Sequence, residues 1–438
     1  MPSHTALPTA TAIAPACALP GTPLAAAMPG IDACVHCGFC LQACPTYVNL
    51  EDENDSPRGR ILLMRGLVEG TLSPDDADVH THIDRCLGCR ACETACPSGV
   101  PYGQLLEATR ATLNARRPVP LLARLILWVF ARPVLLRPAL LGSRLLRATG
   151  IPALAGRVLG GRLGFAMAML ASTRPVLRAR EYVPAGSGAR GATAMLDGCV
   201  MDGLYAHTNA ATRRTLVEND YAMIEAPGQR CCGALHAHAG DLDAARRLAR
   251  ANVAAFERSG ARHVAVNAAG CGAMMKEYGH LLADDPQWAA RAADVAARVR
   301  DVSELLAEAG PKPGTAAAPR ERVTYDAPCH LLHAQRVALA PLAVLAAVPG
   351  LELVPLTDSD QCCGSAGIYN LIEPAVSDAV LEPKLRHIAD TGARFVASGN
   401  PGCLMQLGAG LRRAGSAARG VHPVELLDAS YAAASAER

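Results

Sequence analysis

The sequence predicts an α+β multidomain protein: a short cysteine-rich module, a helical connector, and a duplicated α/β domain filling the second half. Three observations carry this. Eight cysteines fall in two runs of one spacing between residues 34 and 96, and eight more form two sets displaced by 130 to 132 residues. Between them, Ala111 to Arg180 holds twelve arginines and no Asp, Glu or Lys.

The first runs read Cys34-x-x-Cys37-x-x-Cys40-x-x-x-Cys44-Pro45 and Cys86-x-x-Cys89-x-x-Cys92-x-x-x-Cys96-Pro97. This is the bacterial ferredoxin spacing, and it predicts two [4Fe-4S] clusters. Three thiols at steps of three wrap one corner of a cluster. If a helix starts near Cys40, Cys44 lies a rise of roughly 6 Å further on and points past its own cluster. Crossed ligation is therefore expected, with Cys34, Cys37, Cys40 and Cys96 on one cluster and Cys86, Cys89, Cys92 and Cys44 on the other. Pro45 and Pro97 turn the chain away after the last ligand. Zinc fits two tetrads ending in Cys-Pro poorly, since its sites usually pair two C-x-x-C hooks or include histidine.

A chain of 438 residues is long enough for several domains. Residues 1–30, rich in Ala, Pro and Thr, read as a flexible tail without the basic start and apolar core of a secretory signal. A cytoplasmic location is expected, where cysteines bind metal rather than form disulfides. Cys17 is assigned no role. The net charge of +2 hides the arginine block: outside it, 30 basic residues face 40 acidic ones. Its apolar runs are cut by arginine and proline before they reach a membrane span, and they suit short amphipathic helices with snorkelling arginines. Such helices pack on partner subunits or on the chain's own acidic domains, or lie on anionic lipid with Trp128 and Phe130 at the interface, a peripheral contact on the inner face of the membrane. Nucleic acid is not expected, because no aromatic or motif signature accompanies the charge.

The second-half cysteines are Cys199, Cys231-Cys232-Gly233 and Cys271, then Cys329, Cys362-Cys363-Gly364 and Cys403. Each lone cysteine ends a strand-like run (ATAMLDGC, RVTYDAPC, HVAVNAAGC, RFVASGNPGC), and each pair follows another (YAMIEAP, LELVPL). Helical patterns such as Asp241 to Arg258 and Glu373 to Ile388 fill the gaps. Alternating strands and helices predict parallel sheets with a crevice beyond the strands' C-terminal ends. The four sulfurs of a set converge there on a metal, or they are buried structural thiols.

The stretches ACVHCGFC, CPTY, SPRGRI, IDRCLGCRACETACPSGV, CCGA, GCGAMMKEYG, LLHAQ and CCGSAGIYN resemble, in order and spacing, the iron-sulfur subunit of bacterial glycolate oxidase. The resemblance runs from about Ala33 to Leu427 and is weakest across the arginine block. It implies an electron-transfer subunit, not catalytic alone, that takes electrons from FAD-containing partner subunits oxidising glycolate to glyoxylate and passes them towards a quinone. The related alternatives are the same relay for lactate or glycerol 3-phosphate, or a heterodisulfide-reductase-like thiol enzyme. It also implies an α-helical two-[4Fe-4S] ferredoxin module, with which the 41 residues between Cys44 and Cys86 agree. In heterodisulfide reductase the last cysteine of each set is doubled, and five sulfurs hold a non-cubane cluster. Here Ala268, Met274, Asn400 and Gln406 stand at those distances from Cys271 and Cys403. The repeats are thus left between a third cluster, zinc and nothing.

The expected domains are the tail 1–30, the ferredoxin module 31–112, the basic connector 113–190, and Cys-Cys-Gly domains at 191–310 and 321–430. Gly186-x-Gly188-x-x-Gly191 matches a dinucleotide fingerprint as a string, but no strand precedes it and no helix follows, so it reads as a linker. His236, His238 and His330 are candidate ligands or proton carriers, or hydrogen-bonding groups of the crevice. Arg58 and Arg60 are expected near the first cluster, or in a salt bridge.

Overall fold

A computed structural model describes residues 17–177, 181–316 and 321–437. Its first third is helical: no strand occurs among the described residues up to 177. Helices Pro45–Leu50, Pro57–Glu69, Ala77–Asp84 and Tyr102–Asn114 surround the tetrads, with the short helix Ala91–Ala95 inside the second. Pro57–Glu69 starts where the Ser56 hydroxyl accepts from the Gly59 N–H at 2.9 Å, and stops at Gly70, whose φ of +76° suits glycine. Its face of Ile61, Met64 and Leu67 packs with Ile83, Leu105 and Leu106.

Two expectations change here. The tail does not run to residue 30: Leu19 and Leu24 are buried in this core, Thr22 caps helix Pro23–Ala26, and Ala18 N–H donates to the Val68 carbonyl at 2.8 Å. Isolated leucines among Ala and Pro are enough to anchor a segment when a groove awaits them. Residues 1–16 lie outside the described residues. Nor does a helix start at Cys40. Turns carry the chain to Cys44, and Pro45 opens the next helix at a position where its missing N–H costs nothing.

The arginine block forms helices Leu121–Phe130, Pro133–Ala148, Ile151–Val158 and Gly161–Ser172. The last packs on helix Pro401–Arg413. Arg144 donates to the Asp202 and Gly203 carbonyls, and Arg147 to Thr173 O at 2.7 Å and Leu204 O at 3.1 Å. The outer faces are bare: thirteen of the twenty exposed large apolar side chains lie between Leu121 and Leu163. Among the described residues no single helix is long and apolar enough to cross a membrane. Leu121–Phe130 and Pro133–Ala148 reach the length together but bend by 104°. Arg178 and Arg180 lie outside the described residues.

The second half holds two parallel four-stranded sheets. Strands β1 (Ala192–Met195), β2 (Ala222–Ile224), β3 (His263–Val266) and β4 (Val299–Asp301) run in order β2-β1-β3-β4. Strands β5 (Glu321–Tyr325), β6 (Leu351–Val354), β7 (Phe395–Ala397) and β8 (Arg419–Val421) repeat it as β6-β5-β7-β8. β4 and β8 are additions to the three strands per repeat read from sequence, for their runs VRD and RGV lead to no cysteine. The glycine string lies in the loop before β1, with no helix after it. One apolar core, with Met195, Leu216 and Leu305 from the first repeat and Val323, Leu345 and Leu427 from the second, joins the two. Helix Val302–Ala309, ending the first repeat, packs on Ala340–Ala346 of the second, and Pro423–Glu437, ending the second, packs on Ala206–Glu218 of the first.

Candidate metal centres

Two neighbouring cavities hold the tetrads. Cys34, Cys37, Cys40 and Cys96 line one, with Arg58 beside them. Cys44, Cys86, Cys89 and Cys92 line the other, with Arg60 and Arg90. Cys92 and Tyr102 border both, and no carboxylate lines either. Four thiols and no hard oxygen acid suit iron or another thiophilic ion. Burial pushes the Cys40 thiol up to about 11 and raises Cys89 and Cys92 well above the usual range, so unneutralised thiolates here are costly and a bound cation offsets them. Backbone and side-chain donors face the sulfurs: Gly88 N–H lies 3.4 Å and the Tyr102 hydroxyl 3.6 Å from Cys86 Sγ. At the first cavity Gly38 has φ +85°, and a Cβ there would stand 2.8 Å from Arg58 Nη1.

Arg58 stays by the first cavity, bonding the His36 carbonyl at 3.4 Å and Glu53 at 2.6 Å. Arg60 belongs to the second, a correction to the expected placement: the two arginines sit two apart on a helix and face different ways. Arg60 is fully buried and donates to Asp55 at 3.0 Å, Thr46 Oγ1 at 3.0 Å and the His82 carbonyl at 2.6 Å. Burial opposes its charge, but Cys86, Tyr102, Cys44 and Asp55 outweigh it and raise its pKa. Asp55 also holds Arg85 at 2.9 Å.

In each repeat the four second-half cysteines meet at the C-terminal ends of the strands. Cys199 opens helix Cys199–Leu204 after β1, the pair Cys231-Cys232 follows β2 and turns at Gly233 (φ +92°), and Cys271 lies in helix Ala269–Lys276 after β3. Cys199 and Cys231 sulfurs are 3.7 Å apart, Cys232 and Cys271 3.2 Å. Cys329, Cys362, Cys363 and Cys403 repeat this around β5, β6 and β7. Hydrogen bonds from Cys329 and then Cys363 hold Cys362 well below the ordinary thiol range, and Cys199 and Cys232 do the same for Cys231. The second set borders the tetrads: Cys89 packs with Cys329 and Cys362, and after burial Cys362 contributes most to raising the Cys89 thiol.

Two of the four positions of the missing fifth cysteines carry amides that make hydrogen bonds within the fold. Asn400 donates to Cys403 Sγ at 3.4 Å, and Gln406 bonds Ser377 and Asn370. Among the candidate histidines, His330 Nδ1 lies 3.6 Å from Cys329 Sγ, and its ring sits 5.1 Å from that of His238. Burial, then His238, keep His330 neutral. His236 turns to the Leu127 carbonyl at 3.0 Å and His238 to Glu107 at 2.9 Å. Sequence reading missed Lys384, buried 3.0 Å from Asp326 beside the second set. Its position among Val376, Val380, Leu381 and Ile388 on one apolar helical face was the available signal.

The comparisons agree with this layout. Residues 30–100 match the 4Fe-4S dicluster domain, and 193–276 and 323–408 each match the cysteine-rich domain. The chain is 36% identical over 411 residues, 90% of its length and 92% of the relative's, to the probable glycolate oxidase iron-sulfur subunit of Bacillus subtilis strain 168. It belongs to the glycolate oxidase iron-sulfur subunit family. The Escherichia coli K12 glycolate oxidase iron-sulfur subunit is likewise 36% identical over 86% of this chain and 89% of its own. Lactate utilization protein A of Geobacillus kaustophilus is 32% identical over 53% of this chain and 96% of its own. Family membership thus covers the tetrads, the connector and both repeats, whereas the lactate-utilization relative spans about half.

Proposed function

We propose that this chain is the electron-transfer subunit of a glycolate-oxidising complex, with FAD on partner subunits and a membrane quinone as acceptor. The observation that carries it is the likeness to two glycolate oxidase subunits through all parts of the chain. A bound [4Fe-4S] cluster takes up and gives back one electron at a time. The chain's residues do the rest. Cys34, Cys37, Cys40 and Cys96 hold the first cluster, and Cys44, Cys86, Cys89 and Cys92 the second, as the two cavity linings suggest. Tyr102 and Gly88 direct donors at Cys86, and Arg60 supplies buried positive charge; both favour the reduced, more negative state. The set at Cys329, Cys362, Cys363 and Cys403 holds a further thiophilic metal centre in contact with the second, either a cluster or zinc.

The acid-free helices between Leu121 and Leu163 rest on the anionic inner face of the cytoplasmic membrane, apolar side chains in the interface and arginines at the headgroups. Anaerobically purified complex should hold at least eight irons per copy of this chain, and glycolate should generate the spin signal of reduced [4Fe-4S] clusters. Fewer irons sink the relay; reduction by lactate or glycerol 3-phosphate but not glycolate sinks the substrate assignment.

A further inference from the structure

All four parts of the chain meet at one cleft, which encloses about 1150 Å³ with its open mouth. The ferredoxin module contributes Cys86 and Leu87 at the inner wall, with Arg110 donating to the carbonyls of Cys86 and His238, both at 2.7 Å. The connector contributes Arg117 to Pro120 and Ala123, the first repeat Leu235 and His238, and the second Ile368 and Tyr369. Tyr369 closes the inner wall by donating to the Arg85 carbonyl at 2.7 Å. Gly240 permits the close approach of repeat and module: its φ is +79°, and a Cβ there would lie 2.6 Å from the Arg110 backbone.

We infer that this cleft binds the headgroup of a lipid-soluble quinone, an inference that rests on the relay reading above. Three observations converge. The cleft reaches Cys86, a residue that also lines the second tetrad cavity, so an occupant stands one residue from that centre. Its lining is apolar at Leu87, Val119 and Ile368 and carries the carboxylates of Asp84 and Glu373. It offers donors to a ring with two carbonyl acceptors at Arg117 and at the His238 nitrogen turned away from Glu107, the Asn114 amide being bonded to the Ala239 carbonyl at 2.6 Å. Arg117 is exposed and makes no salt bridge among the described residues. Finally, one wall is Ala123 of helix Leu121–Phe130, whose other face exposes Leu121, Leu125 and Trp128. Lipid against that outer face would bring a lipid-soluble molecule to the helix that walls the cleft. The net reaction balances as glycolate plus quinone giving glyoxylate plus quinol: two electrons and two protons are transferred, the protons exchange with water at the open mouth, and no bond to the protein forms.

The test is photolabelling of the intact complex in anionic vesicles with a short-chain azidoquinone, followed by peptide mapping. Label should fall within residues 110–123 or 366–373 and be displaced by unlabelled quinone. Ile368→Trp, which fills the cleft, should abolish it while the cluster spin signals persist. Arg117→Gln, on an exposed side chain that carries no fold, should raise the KM for quinone about tenfold through loss of a charged donor. Label confined to other peptides, or unchanged labelling and KM in both variants, overturns the inference. Failure of the relay reading shows separately, as clusters that glycolate leaves oxidised in the same preparation.

Discussion

Arg60 shows how much a single side chain carries here. It is wholly buried and lines the second cysteine cavity together with its partner Thr46, while its other partner, Asp55, is buried behind it. Arg60→Gln should cost about 3 to 5 kcal/mol, because it leaves a buried carboxylate short of a partner. In variants that fold, the reduction potential of the second centre should fall and that of the first should not. A redox titration followed by spin resonance reads both, and equal shifts would refute the placement. Cys96→Ser should disturb the centre built on Cys34, Cys37 and Cys40; damage restricted to that of Cys86, Cys89 and Cys92 would refute crossed ligation. Glu425 gives a pH dependence. Burial lifts its carboxyl from 4.5 to about 7; its neighbour His207, pushed by burial from 6.5 to about 4, contributes with the opposite sign, so the Glu425 effect is read against a Gln variant that leaves His207 in place. The folded chain therefore holds this proton more tightly than the unfolded one, and stability falls as pH rises from 4.5 to about 7, by about 3 kcal/mol from this group. Glu425→Gln should melt with the natural protein at pH 4.5 and above it at pH 8. The cysteines themselves were legible because metal chemistry fixes their spacing. Thr46, Asp55 and Tyr102 were not, because nothing in a sequence says which polar residues will be folded against a thiolate.

At the scale of elements, the sequence announced those whose pattern is long. Helix Leu242–Ser259 begins one residue after Asp241, its N-cap, and Pro374–Asp390 one after Glu373. It missed β4 and β8, which owe their existence to the sheet edge each completes, and it misjudged residues 17–30, held by Leu19 and Leu24. Leu24 has no exposed surface, and Leu24→Ala should cost about 2 to 5 kcal/mol, where a flexible tail would cost nothing. The connector was legible as amphipathic, yet only the fold shows that its two ends differ: Gly161–Ser172 is covered by helix Pro401–Arg413, whereas Leu121–Phe130 turns Leu121, Leu125 and Trp128 outward. Replacing those three by serine should abolish sedimentation with anionic vesicles. Sedimentation unchanged by the triple replacement, or equally strong on neutral vesicles, would refute the lipid reading.

Across the whole molecule, the duplication visible as a 130-residue offset proves to be asymmetric in use. The second cysteine set touches Cys89, and the first turns its Cys231 and Cys232 carbonyls to Asn252 and Tyr278. Cys362→Ser should therefore alter the spin signal of the second [4Fe-4S] centre, and Cys231→Ser should leave it as it was; equal effects would argue against a direct contact. No sequence signal marks this difference, since the two sets share one spacing and only docking against the ferredoxin module separates them. The exchanged terminal helices have a further consequence. Each repeat ends in a helix that the other repeat covers, and the apolar core runs through both. Halves that complete each other in this way fold as one unit. A single repeat cut from its twin would leave that shared apolar face open to water, so neither is expected to stand alone.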